Sequence, residues 1–212
     1  MSPPDSPPAA RAIEAVAVGA SAGGVAALLR LFSALHAGFR LPIFTVLHMP
    51  DDHDSGLADL FAMRLPIAVR EAADKMPIEP ATLYFAPPGY HLQVEADHVF
   101  SLSCDSPVFF SRPSIDILFD SAAYAYGNRL AALLLTGASE DGAAGLATVG
   151  RLGGFTAVQD PADAQIATMP QAAIDRRRPD LVLPLTALQT LLLDLDANGR
   201  PDTRPAAPKA RP

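Results

Sequence analysis

AVAVGASAGGVAALLRLFSAL, residues 15–35, is the stretch whose reading decides the fold. A run of Ala and Val from residue 15 to 18 enters the glycine-dense segment Gly19-Ala20-Ser21-Ala22-Gly23-Gly24, and an Ala- and Leu-rich segment follows over residues 25–35. A short apolar run bounded by turn residues predicts a buried strand, and the longer segment after it predicts a helix. The same strand-then-helix order repeats at 43–47 and 56–64. It returns at 130–135, 142–151 and 155–159, with a further helix at 114–126. Near-continuous apolar strands such as Ala131 to Leu135 suit a parallel sheet covered on both faces. Residues 181–185 read as the last strand, and 188–195 as a closing helix.

The middle of the chain breaks this rhythm. Residues 83–85, 91–94 and 98–102 are short and separated by PPGY and EAD, which predicts antiparallel strands with tight turns. The expected fold is therefore α/β: a doubly wound, mostly parallel sheet flanked by helices, with an antiparallel hairpin insertion. Residues 13–196 form one domain in this reading. The Pro-rich segments 1–12 and 197–212 are expected to be loose tails. In such a sheet, ligands bind in the crevice outside the carboxyl ends of the strands.

Composition narrows the function. The chain has 212 residues, half of them hydrophobic, and a formal net charge of −7. That charge argues against a broad phosphate-binding surface and thus against a nucleic-acid partner. The run Arg176-Arg177-Arg178 reads as a solvated helix end before Pro179, with guidance of an acidic partner as its alternative. Cys104 is the single cysteine, so neither an internal disulfide nor a thiolate metal cluster can form within the chain. No segment approaches ~20 apolar residues, and no export signal is evident. Membrane insertion is therefore not expected, and a cytoplasmic location is.

Three strand-to-helix loops carry candidate chemistry. Gly19, Ser21 and Gly23 match the GxSxG spacing that lifts a serine hydroxyl to the top of a sheet. Ser21 stands where a dinucleotide loop needs its second glycine, which weakens a nucleotide reading. The alternative is a turn in which Ser21 caps the next helix. His48 closes the strand at 43–47 as His48-Met49-Pro50, where it either points into the crevice or is a structural residue capping the strand end; His36, His53, His91 and His98 lack that setting. No histidine pair has the i, i+4 spacing of a helical metal motif, so no metal site is expected. Asp141, in LTGASEDGAAG, either caps the helix after it or orients a histidine. A serine hydroxyl needs a base within hydrogen-bond reach and usually a third group to hold that base. Ser21, His48 and Asp141 supply all three from one edge of the sheet.

GASAGG at Gly19, VLHMP at Val46, APPGYH at Ala86, RPSIDILFDSA at Arg112, LTGASEDGAAG at Leu135 and TMPQAAI at Thr168 together resemble the catalytic domain of the CheB protein-glutamate methylesterases of bacterial chemotaxis. The resemblance implies Ser21, His48 and Asp141 as the triad. It implies hydrolysis of glutamyl methyl esters on the cytoplasmic helices of methyl-accepting receptors, with glutamine deamidation as a second activity and without a cofactor. The backbone N–H groups of Ala22 and Ala138 are the expected oxyanion donors, and Arg112 is a candidate substrate contact or, alternatively, a surface or loop-bracing arginine. Ala22 replaces the family's usual threonine and Ala138-Ser139 its Met-Gly pair, which bears on pocket shape. Family members known for an attached receiver domain are restrained by it; here a short tail precedes the first strand, so constitutive activity or a separate regulatory protein is expected. Another ester or amide hydrolase, or a non-enzymatic binding module built on the glycine loops, are the competing readings.

Overall fold

Residues along the central strands alternate between two hydrophobic layers, as the two-residue period of a strand requires. In β1 (Ala15–Ala20), Val16, Val18 and Ala20 enter one layer, and Ala15 and Ala17 the other. In β2 (Ile43–Leu47), Ile43 and Leu47 join the first layer, and Phe44 and Val46 the second. Both faces are thus apolar, so helices must cover both. The computed structural model describes residues 12–49 and 56–198.

One face carries α1 (Gly24–Phe32), α2 (Leu57–Ala62) and α6 (Leu185–Asn198), through Leu28, Phe32, Phe61, Leu188 and Leu192. The other carries α3 (Ile115–Tyr126), α4 (Ala143–Arg151) and α5 (Thr168–Arg176), through Leu118, Phe119, Leu146 and Met169. The remaining strands are β3 (Ala68–Glu71), β4 (Thr82–Phe85), β5 (His91–Val94), β6 (Phe100–Ser103), β7 (Leu130–Leu134), β8 (Phe155–Gln159) and β9 (Leu181–Leu183). Seven of the strands form one sheet in the order β3-β4-β2-β1-β7-β8-β9, with every pairing parallel. The chain builds outward from β1 through β2 on one side and through β7 on the other. The reversal of strand order beside β1 opens the crevice that such sheets use for ligands.

The doubly wound parallel sheet and the hairpin are both as expected, but the middle of the chain needs correction. Residues 82–85 are not part of an antiparallel group; β4 pairs in parallel with β2 and β3, inside the main sheet. Of the three strands expected there, β5 and β6 form the antiparallel pair, with His91 opposite Ser103. The edge strand β3 has no counterpart in the sequence reading, because Ala68–Glu71 is mostly exposed and shows no clear apolar alternation. The hairpin lays Leu92, Val94 and Phe100 into the second layer, where the Phe100 ring meets Phe44 edge-on at 5.3 Å. α6 runs to Asn198, past the expected end of the domain at 196. The rest of the expected tails lies outside the described residues, apart from Ala12.

Candidate active site

Backbone hydrogen bonds that prolong the strand ladders stitch the three glycine- and histidine-bearing loops together. Ala20 pairs with Leu47 and Gly19 with Leu134, so the next residues, Ser21, His48 and the 135–136 segment, emerge side by side. The His48 N–H donates to Ala20 O at 3.1 Å, and the Ser21 N–H to Thr136 O at 3.0 Å. The Thr136 hydroxyl donates to Ala22 O at 3.0 Å and accepts the Ile166 N–H at 2.9 Å. These bonds fix the serine loop between the other two.

Ser21 does not cap α1. Gly23 holds the N-cap position with φ of 79°, a left-handed conformation that glycine adopts without steric penalty, and no side chain caps the helix. Among the described residues no hydrogen bond occupies the Ser21 hydroxyl, on a half-buried residue just past the carboxyl end of β1. Gly137 brings the third loop against it. A Cβ at residue 137 would lie 2.9 Å from Ser21 Cβ and 2.6 Å from Met169 Sδ, so only glycine admits this approach.

Asp141 does not cap its own helix through its side chain, because Gly142 is the N-cap of α4. Its carboxylate, fully buried, instead receives the start of α3. Ile115 N–H reaches Oδ2 at 2.7 Å, while Asp116 N–H (3.0 Å) and the Ser114 hydroxyl (2.9 Å) reach Oδ1, joined there by Gly142 N–H at 3.0 Å. His48 Nε2 lies 2.7 Å from Oδ2, its side chain only 10% exposed. Burial pushes the Asp141 carboxyl upward. The His48 hydrogen bond and the amides of Asp116 and Ile115 outweigh burial, and hold it below the ordinary carboxylate range. An ionised Asp141 can only accept, so His48 donates through Nε2, and in the neutral ring the lone pair then sits on Nδ1.

The structure brings Ser21, His48 and Asp141 to one edge of the sheet, with the Asp141–His48 bond formed. Ala22 and Ala138 are both exposed, and no hydrogen bond engages their N–H groups among the described residues. Arg112, the candidate substrate contact, donates through Nη1 to Cys104 O at 3.0 Å and Asp105 O at 3.2 Å, bracing the loop that precedes α3. Arg176 ends α5 and Arg177 is its C-cap, in keeping with the helix-end reading of the basic run. His53 lies outside the described residues. Among the described residues no group of three or more His, Cys, Asp or Glu could hold a metal ion, and no helix is long and apolar enough to cross a membrane.

The residues that sequence reasoning does not place in the site are Ser114, Ile115 and Asp116. Their contribution is largely main-chain N–H groups, which leave no side-chain signature. The one signal in the sequence is the polar pair Ser114 and Asp116 at the head of the helix. Asp116 is itself buried, which raises its carboxyl to about 6. The Gly145 N–H, 2.6 Å from Oδ1, partly offsets that rise, and the negative charges of Asp141 and Asp120 add to it.

Comparison with known proteins agrees with this architecture. The family model described as CheB methylesterase matches residues 16–192. A protein of Leptospira interrogans is 40% identical over 185 residues, which cover 87% of this chain and 96% of that one. Hahella chejuensis protein-glutamate methylesterase/protein-glutamine glutaminase 1 is 42% identical over 174 residues, covering 80% of this chain and 48% of the relative. The chain thus spans about half the length of that relative. The crystal structure of the Thermotoga maritima CheB methylesterase catalytic domain superimposes with a TM-score of 0.82 at 30% identity, covering 87% of this chain and all of that one. With its sheet order, its hairpin and this match over nearly all the described residues, the chain belongs to the CheB methylesterase family.

Proposed function

We propose that the chain is a serine hydrolase that removes methyl groups from glutamyl methyl esters of a methyl-accepting chemotaxis receptor, in the cytoplasm, and deamidates glutamine by the same chemistry. Relatives named protein-glutamate methylesterase/protein-glutamine glutaminase support both reactions. The observation that carries the reading is the 2.7 Å bond between a fully buried, ionised Asp141 and His48, set one strand away from Ser21. With Nε2 committed to Asp141, Nδ1 is the ring nitrogen left to serve as base.

In this mechanism the Ser21 oxygen attacks the side-chain carbonyl carbon while His48 Nδ1 takes its proton. The tetrahedral oxyanion lies against the Ala22 and Ala138 N–H groups, which have no other partner among the described residues. His48 returns the proton to the departing methoxide, and methanol leaves a glutamyl ester on Ser21. Water then attacks that ester with His48 again as base, giving the glutamate side chain and free Ser21. Asp141 keeps the ring in the Nε2–H tautomer and stabilises the imidazolium formed in each half.

The test is methanol release from a peptide helix bearing glutamyl methyl esters, followed alongside turnover of simple esters. Release that disappears in Ser21→Ala is the expected result. Turnover of simple esters with none of the methylated peptide would overturn the substrate, and unchanged hydrolysis in Ser21→Ala would overturn the nucleophile.

A further inference from the structure

His91 is fully buried, yet it has no part in the chemistry proposed above. Both of its ring nitrogens are used. Nδ1 lies 3.1 Å from the Ser114 N–H, which can only donate, and Nε2 lies 3.2 Å from Ser106 O, which can only accept. Those two partners dictate a neutral ring with the proton on Nε2. Ser114 is the N-cap of α3, and its hydroxyl donates to Asp141 Oδ1. The next two residues donate their N–H groups to the same carboxylate. His91 therefore grips the first residue of the segment that supplies three of the five hydrogen bonds that the Asp141 carboxylate makes among the described residues.

We infer that His91 is a positioning residue for the Asp141–His48 pair, and that the β5–β6 hairpin holds the acid of the site in place through the contact of His91 with Ser114. The inference rests on the roles given above to Asp141 and His48. A side chain without an acceptor at the Nδ1 position leaves the buried Ser114 N–H unpaired and frees the head of α3 to shift. The Asp141 carboxylate then turns, and His48 with it. A small displacement of this kind lowers turnover without affecting how substrate binds.

The experiment uses the full chain, with active sites counted by a serine-reactive fluorophosphonate. His91→Leu removes the acceptor at similar volume, whereas His91→Asn places an amide oxygen where Nδ1 was. His91→Leu is expected to lower kcat per titrated site about 10- to 100-fold with KM within about twofold, and His91→Asn to recover most of that loss. The low-field Nε2–H proton resonance of His48 is expected to move or broaden in the Leu variant and to be retained in the Asn variant. Nitrogen-15 spectra of the unmodified protein are expected to show His91 neutral, with the proton on Nε2. Full kcat in His91→Leu, equal loss in both variants, or a proton on Nδ1 overturns the inference. If the Leu variant does not fold, the tautomer and the kcat of His91→Asn decide it by the same criteria. Failure of the underlying reaction is read separately, as a Ser21→Ala protein that keeps its turnover while the His91 tautomer stands.

Discussion

Asp141→Asn puts the geometry of the site to its most direct test. Among the described residues Oδ1 receives three donors, from Ser114, Asp116 and Gly142, while Oδ2 receives two, from Ile115 and His48. An asparagine keeps its oxygen where three donors converge, so its NH2 faces the Ile115 N–H and His48 Nε2. The Ile115 N–H then loses its acceptor in a buried setting, at a cost of about 1–3 kcal/mol. His48 Nε2 must accept instead of donate, which moves the ring proton to Nδ1 and leaves no base toward Ser21. The expected loss in kcat is about 10⁴-fold, or roughly 5–6 kcal/mol of transition-state stabilisation. The pH dependence of stability carries a second signature. Because the folded-state pKa of Asp141 is depressed, its contribution is present above the unfolded carboxylate pKa of roughly 3.9 and is lost as pH falls through the lower folded value. The asparagine variant lacks that part of the acid sensitivity. Chemical denaturation across pH and methanol-release kinetics read the two effects. A kcat within tenfold of the unsubstituted enzyme would refute the tautomer reasoning.

Asp116→Asn should act in the opposite sense. The folded pKa of about 6 lies above the ordinary value of 3.8, so ionisation weakens the folded state as pH rises from about 4 to 6 and the penalty persists above that. The variant is expected to gain about 1–3 kcal/mol at pH 8 and to flatten that slope in denaturation experiments. Gly137→Ala drives a methyl into Ser21 Cβ and Met169; Met169 can yield but Ser21 cannot, so kcat is expected to fall at least about 100-fold, with thermal denaturation recording a smaller loss of stability. Phe109 and Phe110 occupy left-handed φ of 47° and 62° at the tip of the turn closed by the Val108–Ser111 bridge, with Phe110 fully exposed. Replacing the pair by Asn-Gly is expected to stabilise the protein by about 1–3 kcal/mol, measured by urea titration. Phe44→Ala, beneath the hairpin, is expected to cost about 3–5 kcal/mol in the same assay.

The sheet is legible in the sequence where period and punctuation agree. β1, β2 and β8 each stand as an apolar run between turn residues, and the order of strands and helices alone places the loops after β1, β2 and β7 at the strands' carboxyl ends. β4 is misread from sequence because Thr82–Phe85, with every residue buried, is too short to carry an orientation in its pattern. Its parallel neighbours are fixed by contacts distant in sequence. The roles of Ser21 and Asp141 as possible caps are also undecidable locally, since a cap and a functional loop call for the same residue types. Glycine at positions 23 and 142 takes the N-cap places and frees both side chains. His91 sits within a strand, with no loop setting to mark it in the sequence. Its two hydrogen bonds appear only once the hairpin meets the 104–114 segment.

The central place of β1 also governs how the molecule can be assembled. Ala15 pairs with Leu130 across more than half of the chain, whereas the other neighbour of β1, β2, follows closely. During synthesis β1 and β2 can therefore zip early, but one side of β1 stays open until β7 has been made, presenting unpaired backbone on an Ala- and Val-rich strand to any other edge nearby. Closure of that edge is the same event that carries residues 135–141 up beside Ser21. A nascent chain cut before residue 130 should be aggregation-prone and inert, and the appearance of hydrolysis during refolding would report the moment at which the two halves of the sheet unite.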